Sequence, residues 1–245
     1  MITPKEITQD LAELLGIIVG DGYIRTRKPI WLSIECSAHE RGLIDNNVIP
    51  LIKSIFDIQA KGKYFNRNGI KNTYGVLITN RELVSFLSQF GVAVKHDVIV
   101  VPEQILKSAD RKIKLKFLRG YIDTDGCLSF IKKNNKFRYP RLNVSSVSRE
   151  LICEVTELFR ELGFNGSLWT MKIGKKCKLP LHRFEIKGKE MANKWYNEIG
   201  TKNPSNISKY MIWSNTGECK TNTTFEERIS LLKSKGFITS ESTLL

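Results

Sequence analysis

The chain has 245 residues, 41% hydrophobic and 26% charged, a balance that suits one large or two small folded domains and excludes disorder and collagen-like structure. Thirty-nine Lys and Arg against 25 Asp and Glu give a net charge of +14, and the excess is one-sided. Residues 1–104 carry 12 basic and 11 acidic side chains, residues 105–245 carry 27 and 14, which favours a polyanionic partner for the second half above all.

In chain order, Leu11, Leu14, Leu15 and Ile18 form an i, i+3, i+4, i+7 stripe and predict a helix ending at Gly20-Asp21-Gly22. A strand follows, with Ile30, Leu32, Ile34 and Cys36 on one face and Trp31, Ser33, Glu35 and Ser37 on the other. Helical spacing resumes at Leu43, Ile44, Val48, Leu51, Ile52 and Ile55. A hairpin, about 62–65 and 73–79, precedes a helix over 81–90 that Gly91 closes. After a joining stretch with Pro102, Leu115, Leu118 and Ile122 repeat part of the first stripe and lead to Asp125-Gly126. Strands near 127–132 and 138–146, a helix from its cap Ser148 to Leu162, strands near 167–173 and 181–187 and a helix ending near Ile199 complete the pattern. Residues 201–245 add helical stretches at 207–213 and 225–235, to which pattern alone assigns no role.

The chain repeats itself. LLGIIVGDG at 14–22 and LRGYIDTDG at 118–126 align without a gap at an offset of 104 and agree at five of nine positions. One face of the first helix is small, with Ala12, Gly16 and Gly20; its second copy reads Lys116, Gly120 and Thr124. Each glycine costs a helix about 1 kcal/mol relative to alanine, so the small face predicts close packing of the two helices about a pseudo-twofold axis. Asp21 and Asp125 would then meet at the helix ends, where each opposes its helix dipole and repels the other. Divalent cations would neutralise that pair, with the Gly20 and Thr124 carbonyls placed to add oxygen ligands. A helix-exit turn with a solvated acid explains one Asp-Gly well and two at matching positions poorly.

These segments resemble the LAGLIDADG motif, and their order and surroundings over residues 8–200 resemble a monomeric two-repeat LAGLIDADG homing endonuclease. The resemblance implies an α+β fold of two pseudo-symmetric αββαββα repeats, 8–95 and 113–200. A linker spans 96–112, and a C-terminal helical extension follows at 201–245. Antiparallel sheets would form a DNA-binding saddle, with the motif helices at the inter-repeat interface. Asp21 and Asp125 would hold catalytic Mg²⁺, with Mn²⁺ or Ca²⁺ as alternative occupants. The implied activity is an intron-encoded, site-specific endonuclease that binds double-stranded DNA as a monomer. Its cut would be staggered, leaving 3′ overhangs at a long, near-palindromic site. Asp123, whose counterpart is Val19, is expected to be structural.

The basic residues support a DNA partner independently. Arg25, Arg27 and Lys28 fall in the first hairpin; Lys61, Lys63, Arg67 and Lys71 in the second; Lys132, Lys133, Lys136, Arg138 and Arg141 in the third; Lys172, Lys175, Lys176, Lys178 and Arg183 in the fourth. Cations on strands whose other face is apolar describe a sheet with one side on the core and one on phosphate. Trp31, Tyr64, Tyr139 and Trp169 lie among them, and Ser33, Glu35, Asn143 and Ser145 are candidates to read base edges in the major groove. Lys187 ends the last strand and is nominated as a catalytic helper, an ordinary phosphate contact being the equal alternative; its first-repeat counterpart is near Thr79.

Other features exclude more than they suggest. The apolar run at 14–19 is too short to span a membrane, and the N-terminus lacks a signal core, so an intracellular protein of cytoplasm or organelle is expected. The dispersed cysteines Cys36, Cys127, Cys153, Cys177 and Cys219 make neither a disulfide framework nor a zinc site, and His39, His96 and His182 match no metal spacing. The competing expectation is a nucleic-acid-binding protein of the same fold that does not cut, an RNA maturase or a DNA-binding regulator.

Overall fold

The computed structural model describes residues 1–67, 70–92, 99–171 and 179–240, without the side chains at 67, 70, 71 and 133. Helix α1 (Gln9–Asp21) begins where Thr8 accepts the Leu11 N–H and ends where Gly22 turns directly into β1 (Gly22–Arg25). Strand β2 (Trp31–Ser37) returns antiparallel to β1, with Leu32, Ile34 and Cys36 buried as the alternation predicts. The next helical segment is not uniform: α2 (Arg41–Leu43) passes through a π-helical turn, Ile44–Val48, into α3 (Ile49–Phe56). Pro50 has no N–H for the α-helical ladder, and the widened turn lies directly before that break. Strands β3 (Lys63–Arg67) and β4 (Ile70–Ile78) pair antiparallel, and Asn80 caps α4 (Arg81–Ser88) through the Leu83 N–H.

A one-turn helix, α5 (Glu103–Leu106), leads to α6 (Arg111–Asp125), which Asp110 caps through the Lys112 N–H. The earlier pattern then recurs as β5 (Gly126–Lys133), β6 (Lys136–Ser146), α7 (Arg149–Glu161), β7 (Ser167–Met171), β8 (Leu181–Lys187) and α8 (Lys189–Glu198). Helices α9 (Pro204–Thr216) and α10 (Phe225–Ser234) follow. The two four-stranded antiparallel sheets have equivalent orders, β1-β2-β4-β3 and β5-β6-β8-β7. In the second sheet Leu128, Leu142, Val144, Phe184 and Ile186 face the core, and Ser129, Arg141, Asn143, Ser145 and Arg183 line the other face in register.

Helices α1 and α6 contact each other more extensively than any other two elements. A Cβ on Gly16 would lie 2.1 Å from the Phe117 carbonyl oxygen, and one on Gly120 would lie 2.0 Å from that of Glu13. Gly16 faces Phe117 and Tyr121, and Gly120 faces Glu13 and Ile17; the 104-residue offset converts one set of partners into the other. The glycines therefore sit where the helix backbones touch across a pseudo-twofold axis. Glu13 breaks the symmetry. Although only 1% exposed, it accepts from both sides of the Arg119 guanidinium, Nε at 2.9 Å, from Lys116 Nζ at 3.4 Å and from Asn47 Nδ2 at 3.1 Å. A carboxylate buried at this seam is tolerable only with such partners.

Candidate metal centre and nucleic-acid interface

The seam ends in the two acids. Asp21 and Asp125 are the last residues of α1 and α6, and a Cβ on Gly20 would fall 1.9 Å from Thr124 Oγ1 and 3.6 Å from the Asp125 carboxyl carbon. The glycine after each acid is dictated by the exit turn. At Gly22 and at Gly126 a Cβ would lie 2.5 Å from the carbonyl oxygen four residues earlier, Ile18 or Ile122, which also accepts that glycine's N–H. Asp21 reaches solvent and Asp125 is half-buried, yet protein atoms crowd both carboxyl groups. That desolvation raises Asp125 to about 7, helped by the Asp21 charge, and raises Asp21 to about 6, helped by Glu40 and Glu35. Tyr121, buried beside Asp125, has a hydroxyl without a hydrogen-bond partner, and burial and the Asp125 charge push its ionisation up.

Among the described residues no cation pairs with either acid, and no cluster of three or more His, Cys, Asp or Glu is placed to hold a metal ion. Two converging carboxylates fit a hard cation that takes its remaining oxygens from carbonyls, water and a substrate phosphate. Gly20 and Thr124 stand face to face, each one residue before an acid; the Thr124 hydroxyl bonds back to the Gly120 and Tyr121 carbonyls. Glu40, whose charge acts on Asp21, was not singled out by sequence; it lies at the end of a one-turn 3₁₀ segment, where no pattern marks it.

Asp123 points away from this pair into the protein. Fully buried, it accepts from the Thr201 hydroxyl and from the N–H groups of Lys202 and Asn203 at 2.9–3.3 Å. Burial still lifts it to about 7 against the lowering effect of those donors. It thus anchors the start of the C-terminal extension. Further along, Asn206 covers the outer edge of β5, accepting the Leu128 N–H and donating to the Gly126 carbonyl. Trp213 donates to the Arg138 carbonyl and packs on Phe130.

The basic candidates divide by placement. Arg27, Lys28, Lys61, Lys63, Lys132, Lys136 and Arg138 are exposed. Arg25 donates to the Lys28 carbonyl at 3.2 Å, Trp31 packs on Tyr23, and Lys63 lies over the Phe65 ring. Arg183 stacks over Trp169 and donates to Ser145 Oγ at 2.9 Å. Glu185, 3% exposed, joins Arg141 at 3.2 Å and Lys187 at 2.7 Å on the same sheet face. Ser33 and Asn143 lie in central strands and are covered by neighbours; Ser33 donates to Glu35 and Asn143 to the Cys127 carbonyl. Lys172, Lys175, Lys176 and Lys178, with His96 and Cys177, lie outside the described residues, as do the side chains of Arg67, Lys71 and Lys133. The described cysteines Cys36, Cys127, Cys153 and Cys219 are free thiols, His39 pairs with Ser37 and His182 with Thr170. No helix among the described residues is long and apolar enough to cross a membrane.

The comparisons agree with this architecture. Residues 112–200 match the LAGLIDADG-like domain family. The chain is 27% identical over 188 residues to the replication factor C small subunit of Methanocaldococcus jannaschii, covering 70% of this chain; it spans only 10–15% of the length of the curated relatives it matches. Among solved structures it is similar to I-DmoI in complex with DNA and Mn, with a TM-score of 0.54 and 16% identity over 78% of this chain and 96% of that one. It is also similar to the N-terminal LAGLIDADG domain of WhiA, with a TM-score of 0.50 and 14% identity over 78% and 81%. Residues 112–200 thus match a LAGLIDADG-like domain, and the chain as a whole, with its two equivalent sheets, has a fold similar to that of I-DmoI.

Proposed function

We propose that this protein is a site-specific endonuclease of double-stranded DNA, a homing endonuclease acting as a single chain, with a divalent-cation centre at the seam. One observation carries the reading: two carboxylates from separate repeats lie at the paired ends of α1 and α6, where the Asp21 charge acts on Asp125, and among the described residues no cation pairs with either. Asp21 and Asp125 would hold Mg²⁺, with Mn²⁺ able to replace it, and the Gly20 and Thr124 carbonyls are candidate further ligands. When bound, the cation supplies an activated water and stabilises charge on the scissile phosphate and its leaving oxygen.

The chain's own groups set the rest. Each acid would serve one strand of a duplex lying across the pseudo-twofold axis, and the resemblance to LAGLIDADG homing endonucleases implies a staggered cut, with 3′ overhangs, at a long, near-palindromic site. Exposed Lys and Arg on the sheets hold backbone phosphates, while Arg183 on Trp169 and the Arg141–Glu185–Lys187 row present fixed donors to the duplex. The first-repeat counterpart of Lys187 is near Thr79 and is not a lysine, so the two strands are expected to be cut at different rates.

Cleavage selection from a randomised duplex library in Mg²⁺ tests this. Recovery of one long sequence cut on both strands is the expected result. Tight, sequence-specific binding with no cut in Mg²⁺ or Mn²⁺ would overturn it in favour of a non-cleaving nucleic-acid-binding protein of this fold.

A further inference from the structure

The C-terminal extension is tied to the acid pair through one side chain. Asn203, 4% exposed, is the N-cap of α9, and both ends of its amide are engaged. Oδ1 accepts the Ser205 and Asn206 N–H groups at 2.8 and 3.4 Å. Nδ2 donates at 2.8 Å to the main-chain carbonyl of Asp123 and at 2.8 Å to Glu40 Oε1. Asp123 lies in the last turn of α6, two residues before Asp125, and Glu40 comes from the first repeat, where its charge acts on Asp21. A single amide outside both repeats therefore holds a carboxylate whose charge acts on Asp21 and the helix turn that ends in Asp125.

We propose that Asn203 is a positioning residue of the divalent-cation centre, fixing the Glu40 carboxylate beside Asp21 and the turn of α6 that presents Asp125. This rests on the reading of Asp21 and Asp125 as metal ligands. A pinned carboxylate next to a ligand adds negative charge at a fixed place, and a pinned helix turn keeps the ligand's own direction; released, both lose that preorganisation. Groups that hydrogen-bond a metal ligand directly are worth about 10–100-fold in metal affinity, and Asn203, acting one group further out, belongs at the low end of that range. Capping alone does not require asparagine, since serine serves α9 as well. Only the longer amide, with two donors, also bridges Glu40 and Asp123.

The test is Mn²⁺ binding to the intact chain without DNA, followed by the electron paramagnetic resonance of the free ion. Asn203→Ser keeps the cap and is expected to raise the Mn²⁺ dissociation constant about tenfold. Glu40→Gln keeps an acceptor for Asn203, removes the charge, and is expected to weaken binding severalfold; it decides the matter should the serine variant fail to fold. Unchanged Mn²⁺ affinity in a folded Asn203→Ser chain, or in Glu40→Gln, overturns the proposal. If Asp125→Asn binds Mn²⁺ as the wild type does, the metal reading fails and takes this one with it. Weakened binding in these variants of a protein that never cuts DNA would instead sink only the nuclease reading.

Discussion

Two carboxylates ending adjacent helices are poorly placed for stability, and that cost is measurable. Both acids have folded pKa values, about 6 for Asp21 and about 7 for Asp125, above the ordinary 3.8. Between these limits the folded state binds more protons than the unfolded one, so their contribution favours folding at low pH and is lost as pH rises through about 4 to 7. The metal-free Asp125→Asn chain is therefore expected to melt higher than wild type at pH 8, by about 2–4 °C for each kcal/mol of relieved strain, and alike near pH 4. Calorimetry in chelator checks this; equal melting temperatures at pH 8 would contradict it. Protons compete with the cation at the same oxygens, so cleavage at subsaturating Mg²⁺ is expected to fall as pH drops from about 8 to 6 and to recover with more Mg²⁺. The placement of Asp21 and Asp125 at the ends of two paired helices was legible in sequence because each sits in a local, repeated motif. Glu40 and Asn203 were not: 163 residues separate them, and only the folded chain brings them together.

At the level of elements, the helix seam rests on the absence of side chains. Gly16→Ala and Gly120→Ala each drive a methyl into a backbone carbonyl of the facing helix, and each is expected to cost about 1–3 kcal/mol or more in urea unfolding. Glu13→Ala leaves Arg119 without its buried carboxylate and is expected to cost about 3–5 kcal/mol. A loss below 1 kcal/mol in either test would mean that the helices are not locked at these points. Period-two alternation revealed β2, and helical stripes with Ser or Gly at the ends revealed α1 and α7, because those signals are local. The π-helical turn before Pro50 was missed, since apolar spacing does not distinguish a helix from a widened one. Helix α9 starts at Pro204, three residues before the apolar stretch at 207–213, because Asn203 caps it and Pro204 fits its first turn.

At the scale of the whole molecule, the extension completes what the repeats leave open. Without residues 201–240, buried Asp123 loses three donors and β5 loses the Asn206 cover on its edge. A chain ending at residue 200 is expected to be less stable by about 3 kcal/mol or more; retention of full stability would contradict the anchoring role. The charge asymmetry between halves was legible, but the extension's part in the acid centre was not, because it depends on contacts with both repeats.

The proposed activity cuts both strands at the seam, with each acid serving one of them. Its most direct test is a supercoiled plasmid carrying the selected site, incubated in Mg²⁺ with wild type, Asp21→Asn and Asp125→Asn. Linear product from wild type, with double-strand cutting reduced by at least about a hundredfold in each variant while duplex binding persists, is the expected result. Linearisation by either variant at the wild-type rate would contradict it.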